Sequence, residues 1–153
     1  MASTGKKRNA FLYFLFFVYV AVMLWLLFGR SNRYVEGVDY MQQLQNNMSL
    51  KPFFTIKNYL YVVTHQDHGD LYRHCMINLL GNVILFIPAG IFLPKIWKKL
   101  QNFFLFLLVC VLVITLIEAL QLVTLLGSCD IDDLILNVFG MILGYLLFLI
   151  FRK

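Results

Sequence analysis

The sequence predicts an all-α, polytopic membrane protein, with four transmembrane helices in a compact bundle and a short interfacial helix in the first outer loop. Three observations lead to this fold class. The chain contains four apolar runs, and a membrane-spanning helix needs about 20 apolar residues. Hydrophobic residues make up 61% of the chain and charged residues 14%, whereas soluble domains are roughly 45–50% apolar. The basic residues cluster beside the apolar runs, where they anchor and orient spans.

The predicted spans lie in one membrane domain that covers residues 1–153, at residues 11–28, 75–93, 102–126 and 132–151. The bases Lys6, Lys7 and Arg8 precede the first span, and a signal peptide has the same order of parts. We interpret this run as a retained span, because it is longer than a typical signal core and lacks a small-residue cleavage site.

Residues 30–73 form the outer loop between the first two spans, and they are the sizeable polar segment of the chain. Within this loop, residues 52–63 are largely apolar and aromatic but too few to cross a bilayer. Because Pro52 suits the first turn of a helix, we predict a short helix in the membrane interface, with its tyrosines at headgroup level. Lys51 and Arg73 are candidate contacts for anionic lipid headgroups, with simple anchoring as the alternative.

The charges between the spans predict the orientation of the bundle. The N-terminus, the turn at residues 95–99 and the C-terminus carry bases and no acids, whereas the turn at residues 127–133 carries acids and no bases. Basic residues collect on the cytoplasmic side of a membrane. We therefore predict a multi-pass protein of the cell membrane with both termini in the cytoplasm. The net charge of +5 then reflects anchoring, and we predict no nucleic-acid binding.

Polar side chains recur at a similar depth in three of the predicted spans, toward the outer surface. Amides and carboxylates are costly in hydrocarbon unless they find partners. Residues four apart on a helix share one face, so each span would present its polar groups together. We therefore predict one outer polar pocket formed by Asn78, Asn82, Glu118, Gln121, Asp130, Asp132, Asp133 and Asn137.

Structural roles are the alternative for each of these residues. A neutral Glu118 would hold helices together through a hydrogen bond to a neighbouring amide. Asp130 or Asp132 would cap the last helix, where aspartate binds free N–H groups and complements the helix dipole. The stripe of Asn137 continues to Gly140 and Gly144, small residues that favour close helix packing.

We predict no metal and no other cofactor, with Glu118 and Asp133 as the alternative ligands if a cation binds. His65 and His68 stand in a polar turn typical of solvated loops. Three cysteines do not make a disulfide framework. Cys75 and Cys129 both fall near the outer surface, so a bridge between them stays open.

Four ordered motifs occupy residues 50–56, 78–93, 117–121 and 130–140. Together they resemble the signature of the VanZ-like family of membrane proteins. The sequence departs from it at Ser49, where many members have asparagine, and at Ser128 and Cys129, where many have an arginine. The resemblance implies a role in resistance to teicoplanin and related lipoglycopeptides at the Gram-positive envelope, although many members are housekeeping proteins.

The predicted function is to modulate how the cell envelope interacts with such antibiotics. The outer pocket would bind a lipid-linked cell-wall precursor or the acyl chain of the drug, in addition to the surrounding lipid bilayer. One alternative is an intramembrane enzyme that acts on an envelope lipid, with Glu118 and Asp133 as acid and base or as metal ligands. A further alternative is a small proton-coupled transporter that uses Glu118. The oligomeric state stays open.

Overall fold

The computed structural model describes residues 2–29, 33–65 and 69–152. In chain order, its elements are α1 (Ala2–Phe28), α2 (Tyr40–Asn46), β1 (Met48–Ser49), α3 (Phe54–His65), α4 (Asp70–Ile96), a 3₁₀ turn (Lys98–Gln101), α5 (Phe103–Thr124), β2 (Cys129–Asp130) and α6 (Ile131–Phe151). Within the described ranges, four helices are long and apolar enough to cross a membrane, namely α1, α4, α5 and α6. The predicted all-α fold with four spans is confirmed.

The second and third spans differ from their predicted bounds at their ends. Helix α4 continues from Asp70 to Ile96 with both Pro88 and Pro94 inside it. Prolines are tolerated in such helices because neighbouring groups satisfy the freed backbone. Helix α5 ends at Thr124 rather than at residue 126, because Leu125 takes the left-handed backbone conformation with φ of 54°.

The predicted interfacial helix is present as α3, but it begins at Phe54 rather than at Pro52. Phe53 has φ of 61°, which is incompatible with a right-handed helix and delays its start. Phe54, Leu60 and Tyr61 are exposed apolar side chains on this helix. Aromatic side chains of this kind suit the boundary between lipid and water.

Helices α4 and α6 approach each other closely through glycines. A Cβ atom at Gly140 would lie 2.2 Å from the carbonyl oxygen of Val83, and one at Gly144 would lie 2.0 Å from that of Ile87. No side chain fits at these distances. The prediction that the small-residue face of α6 permits close packing is therefore confirmed.

The core is formed where α5 packs against this helix pair. Phe106, Cys110 and Ile114 of α5 are fully buried, together with Phe86 of α4 and Tyr145 of α6. Helix α1 lies at the edge of the bundle. The Tyr19 hydroxyl on α1 donates to the carbonyl oxygen of Leu85 at 2.9 Å, and the Phe16 ring contacts Phe92 and Trp97.

Large apolar side chains remain exposed on the outer faces of the four long helices, as at Phe17, Ile84, Leu112 and Ile150. A soluble protein rarely exposes apolar surface of this extent. A bilayer would cover it, as expected for a multi-pass membrane protein.

The two ends of the bundle have opposite charge. We call the end with Glu118 and the 127–133 turn the acidic end, and the end with residues 95–99 and Arg152 the basic end. The loop between α1 and α4 folds over the acidic end. There β1 pairs with β2 in parallel, with Met48 opposite Cys129, and the Tyr40 hydroxyl donates to the carbonyl oxygen of Val123 at 2.7 Å.

Candidate functional site

Five of the eight residues predicted to form a pocket lie close together at the acidic end. They come from three spans and the turn that leads into α6: Asn82, Glu118, Asp130, Asp132 and Asp133. In this acidic network, hydrogen bonds connect Glu118, Asp130 and Asp132 to one another and to α3, and Asn82 binds Asp133 beside them. The structure therefore places these residues together, and their partners indicate what each one does.

Glu118 lies near the end of α5 and is only 5% exposed. One carboxylate oxygen accepts a hydrogen bond from the backbone N–H of Asp130 at 3.2 Å. This contact joins the end of α5 to the turn that precedes α6. Glu118 thus bridges two spans through backbone, rather than through the side-chain amide considered in the sequence.

Asp130 is the N-cap of α6, because its side chain accepts from the backbone N–H of Asp132 at 2.9 Å. Its other oxygen accepts from the Thr55 hydroxyl at 2.6 Å. The capping alternative therefore describes Asp130, and the second contact ties α3 to the same turn. Thr55 was absent from the predicted residues, since nothing in its sequence position links it to a segment so far along the chain.

Asp132 caps a different helix from the one it belongs to. Its side chain is fully buried, and its two oxygens accept from the backbone N–H groups of Phe53 at 2.5 Å and Ile56 at 3.0 Å. The first turn of a helix leaves such N–H groups without partners. Asp132 therefore binds the N-terminus of α3 and holds that helix against the bundle.

Asp133 differs from these carboxylates because it accepts no hydrogen bond from a backbone N–H of the described residues. The Asn82 amide on α4 donates to one oxygen of Asp133 at 2.5 Å, and no described residue donates to the other. Asp133 also interacts electrostatically with Arg33 of the loop. Arg33 was not predicted from the sequence. It is a cation of the loop between α1 and α4, whereas the arginine of many family members would stand at Ser128 or Cys129, between α5 and α6.

Asn137 lies one turn beyond Asp133 on α6. It is 2% exposed, and its side-chain oxygen has no hydrogen-bond partner among the described residues. A buried acceptor without a donor costs free energy.

The other predicted residues lie outside the network. The Gln121 amide donates to the carbonyl oxygen of Leu27 at 2.9 Å, at the end of α1. Asn78 donates to the carbonyl oxygen of His74 at 3.0 Å, on its own helix. Lys51 is exposed, and Arg73 forms an exposed ion pair with Asp70 at 3.9 Å.

Tyr59 and Cys129 lie beside the network, and its negative charge affects the pKa of both side chains. Burial raises the pKa of the Tyr59 hydroxyl, and the charge of Asp133 raises it further, while Arg33 acts in the opposite direction. Burial also raises the pKa of the Cys129 thiol, followed by the charges of Glu118 and Asp130. Both groups therefore favour their neutral forms at neutral pH.

The part of the chain that the structure describes contains neither a candidate metal site nor a disulfide bond. Its histidines, cysteines and carboxylates form no group of three or more that could hold a metal ion. Cys75 and Cys129 are free thiols, as is Cys110. The ring of His65 stacks on Tyr61, and His68 lies outside the described residues.

Comparison with known proteins identifies the family. Residues 16–152 match the VanZ/LLP1 family. The chain belongs to this family. It is 28% identical over 132 residues to protein VanZ of Enterococcus faecium, and the alignment covers 86% of this chain and 69% of that relative. No solved structure matches the chain. The resemblance found in the four sequence motifs is confirmed.

The motifs of this VanZ/LLP1 chain converge in space. The segment that contains Phe53 and Thr55 is bound by Asp130 and Asp132 of the acidic motif, and the acidic motif is bound by Glu118. Most of these contacts build the acidic end. The acceptors without a donor among the described residues are the second oxygens of Glu118 and Asp133 and the buried amide oxygen of Asn137.

Proposed function

We propose that this VanZ/LLP1 protein acts in the cell membrane and reduces the susceptibility of a Gram-positive envelope to teicoplanin and related lipoglycopeptides. Both termini would lie in the cytoplasm, so the acidic end would face outward, where the antibiotic acts. Family membership and similarity to protein VanZ support this proposal. The charge of the basic end supports the orientation.

The observation that carries the proposal is a pair of oxygen atoms on α6 that lack a hydrogen-bond donor among the described residues. Glu118, Asp130 and Asp132 accept hydrogen bonds from backbone N–H groups. Asp133 binds only the Asn82 side chain among its described neighbours, and the Asn137 oxygen has no donor among them. Asp133 and Asn137 share one face of the helix, so a single ligand could donate to both.

The chemistry of this face favours a ligand with hydroxyl or ammonium donors on an apolar chain. The sugar hydroxyls of a lipid-linked cell-wall precursor supply such donors, and so does the amino sugar of a lipoglycopeptide. Helices α4 and α6 also expose apolar side chains, as at Ile84 and Phe139. The prenyl or acyl chain would lie along this lipid-facing surface.

Drug susceptibility tests the proposal in a Gram-positive host from which other VanZ-family genes have been deleted. The wild-type protein should raise the inhibitory concentration of teicoplanin more than that of vancomycin. Asp133→Asn should abolish this shift while the protein remains in the membrane. Asparagine keeps an oxygen that accepts from Asn82 but removes the negative charge, so the fold should be retained.

Asp70→Asn is the matched control, because Asp70 is a fully exposed carboxylate at the start of α4. This variant should retain the full shift, with membrane abundance of each protein measured by immunoblotting. The proposal is wrong if Asp133→Asn protects as well as the wild type. An equal shift for vancomycin would also contradict it, since the apolar chain would then contribute nothing.

A further inference from the structure

A second candidate site lies at the basic end, remote from the acidic network. A cavity of about 730 Å³ opens there between α1, α4 and α6, within the range of roughly 300–1,000 Å³ typical of ligand pockets. Leu15, Ile91 and Leu147 contribute to its apolar walls, and Lys95 and Arg152 are its cationic residues. It shares no residue with the acidic network.

The cations occupy the rim of this cavity because of helix periodicity. Lys95 follows Ile91 by four residues on α4, and Arg152 follows Phe148 by four residues at the end of α6. Residues four apart lie on one face, one turn along the helix. The Arg152 guanidinium carbon lies 6.0 Å from the centre of the Phe148 ring. Each helix therefore presents an apolar surface toward the bilayer centre and a cation toward the water.

The two cations have no acidic partner among the residues that the structure describes. Among the described residues, no acid lines the cavity, and neither Lys95 nor Arg152 takes part in an ion pair. The walls below them are hydrocarbon and aromatic. A ligand that fits this distribution has a negative head and an apolar tail.

The packing of α1 explains why the cavity exists. Helix α1 contacts α4 through Phe16 and Tyr19, but nearer its N-terminus Phe11 is 62% exposed and Leu15 is 39% exposed. These side chains face space between α1 and α6 that no other described element fills. In a bilayer, a lipid chain is the apolar group available to fill it.

We propose that this cavity binds one anionic phospholipid, with the phosphate between Lys95 and Arg152 and an acyl chain along the α1–α6 gap. A free phosphate would satisfy the cations but would leave the apolar walls uncovered. The bound lipid would pack α1 against the bundle. This inference is independent of the proposed role of the acidic end.

Lipid titration of the purified full-length protein tests the proposal in a neutral detergent, with native mass spectrometry to count bound lipids. Phosphatidylglycerol should bind more tightly than phosphatidylcholine with the same acyl chains. The double variant Lys95→Gln/Arg152→Gln should weaken phosphatidylglycerol binding roughly thirty-fold, because each nearby cation contributes about 1 kcal/mol to attraction of an anionic lipid.

Lys98→Gln/Lys99→Gln is the matched control. It removes the same charge from the same end, from exposed residues of the 3₁₀ turn that do not line the cavity. It should leave phosphatidylglycerol binding within about threefold of wild type, which is less than 1 kcal/mol. An equal loss in both double variants would show general charge attraction and would overturn the proposal.

Two further arms test the apolar half of the site. Leu147→Trp should fill part of the cavity and weaken phosphatidylglycerol binding without changing any charge, and this variant also decides the matter if the double variant fails to fold. Glycerol phosphate, which has no acyl chain, should not compete. Unchanged binding in Leu147→Trp, effective competition by glycerol phosphate, or equal binding of the two phospholipids would each contradict a phospholipid site.

Discussion

The three aspartates that open α6 have different partners, although they are neighbours in the chain. Asp130 caps α6 itself, Asp132 caps α3, and Asp133 binds the amide of Asn82. The first of these follows from local sequence, because aspartate is a preferred N-cap. The other two depend on which element lies opposite, and that is set by the packing of the whole bundle.

Asp132→Ala should reduce stability more than the loss of an ordinary helix cap. It would leave the N–H groups of Phe53 and Ile56 without acceptors in a partly buried setting, at a cost of roughly 2–4 kcal/mol. Chemical denaturation in detergent measures the change. The control is Asp39→Ala, which removes the exposed cap of α2 and should cost about 1 kcal/mol. Equal losses in the two variants would contradict the role assigned to Asp132.

Cys129 provides a probe of the charge on Glu118. Burial and the neighbouring carboxylates raise the pKa of its thiol, so alkylation should be slow at neutral pH and should accelerate only in alkaline solution. Glu118→Gln removes one of those charges and should move the pH profile of alkylation to lower pH. Glutamine keeps an acceptor for the N–H of Asp130.

Mass spectrometry of the iodoacetamide-treated protein follows Cys129 separately from the buried Cys75 and Cys110. Glu36→Gln is the control, because Glu36 is exposed in the loop. Its profile should match that of the wild type. If Glu118→Gln also leaves the profile unchanged, Glu118 carries no charge that Cys129 senses.

The contact between α4 and α6 depends on three glycines, and only two of them could be recognised as packing residues from the sequence. Gly140 and Gly144 are recognisable from their spacing of four. Gly90 has no glycine four residues away in the sequence, yet a Cβ atom there would lie 2.1 Å from the carbonyl oxygen of Met141. Its role could not be predicted, because a single glycine gives no periodic signal and its partner lies on a distant segment.

Gly144→Ala should force α4 and α6 apart and reduce stability by roughly 1–3 kcal/mol or more. The added methyl group would lie 2.0 Å from the carbonyl oxygen of Ile87, which belongs to rigid helix backbone. Gly81→Ala on α4 is the control, because its new Cβ would meet only the side chain of Ile77 at 4.0 Å. Alanine in an open helical position should be neutral or stabilising by up to about 1 kcal/mol.

Thermal unfolding in detergent compares these two variants directly. A loss in Gly81→Ala as large as that in Gly144→Ala would mean that the glycines act through helix flexibility rather than through close approach.

Helix α2 and the strands β1 and β2 depend on tertiary contacts and were not predicted from the sequence. Helix α2 is short, and its stability comes from the Asp39 cap and from Gln43, a buried side chain that binds Val35 and Val38. The pairing of β1 with β2 joins segments far apart in the chain. Neither feature has a periodic hydrophobic pattern, whereas the four long helices and α3 have apolar runs that identify them directly.

Across the whole molecule, the sequence predicted which polar residues lie close together better than it predicted their hydrogen-bond partners. The shared depth of Asn82, Glu118 and Asp133 follows from the alternating direction of the spans. Which oxygens bind backbone, and which stay available, depends on how the loop folds over the acidic end. Thr55 of that loop donates a hydrogen bond to the network, and Arg33 interacts with it electrostatically, from positions that no local sequence pattern connects to it.

The orientation of the bundle can be tested by cysteine labelling in a variant from which the three natural cysteines have been removed. Asn58→Cys on α3 and Lys98→Cys on the 3₁₀ turn are both exposed positions, at the acidic and basic ends. With a membrane-impermeant maleimide, Asn58→Cys should react in intact cells, and Lys98→Cys only after permeabilisation, because basic segments remain on the cytoplasmic side.

Labelling of Lys98→Cys in intact cells would show that the bundle has the opposite orientation. Equal labelling of both positions would indicate a mixture of orientations. The outcome bears on the proposed function as well as on topology. The acceptors of Asp133 and Asn137 are useful against an extracellular antibiotic only if the acidic end faces outward. A reversed bundle would place these acceptors on the cytoplasmic side. That result would rule out the proposed contact with the antibiotic, although every hydrogen bond of the fold would be unchanged.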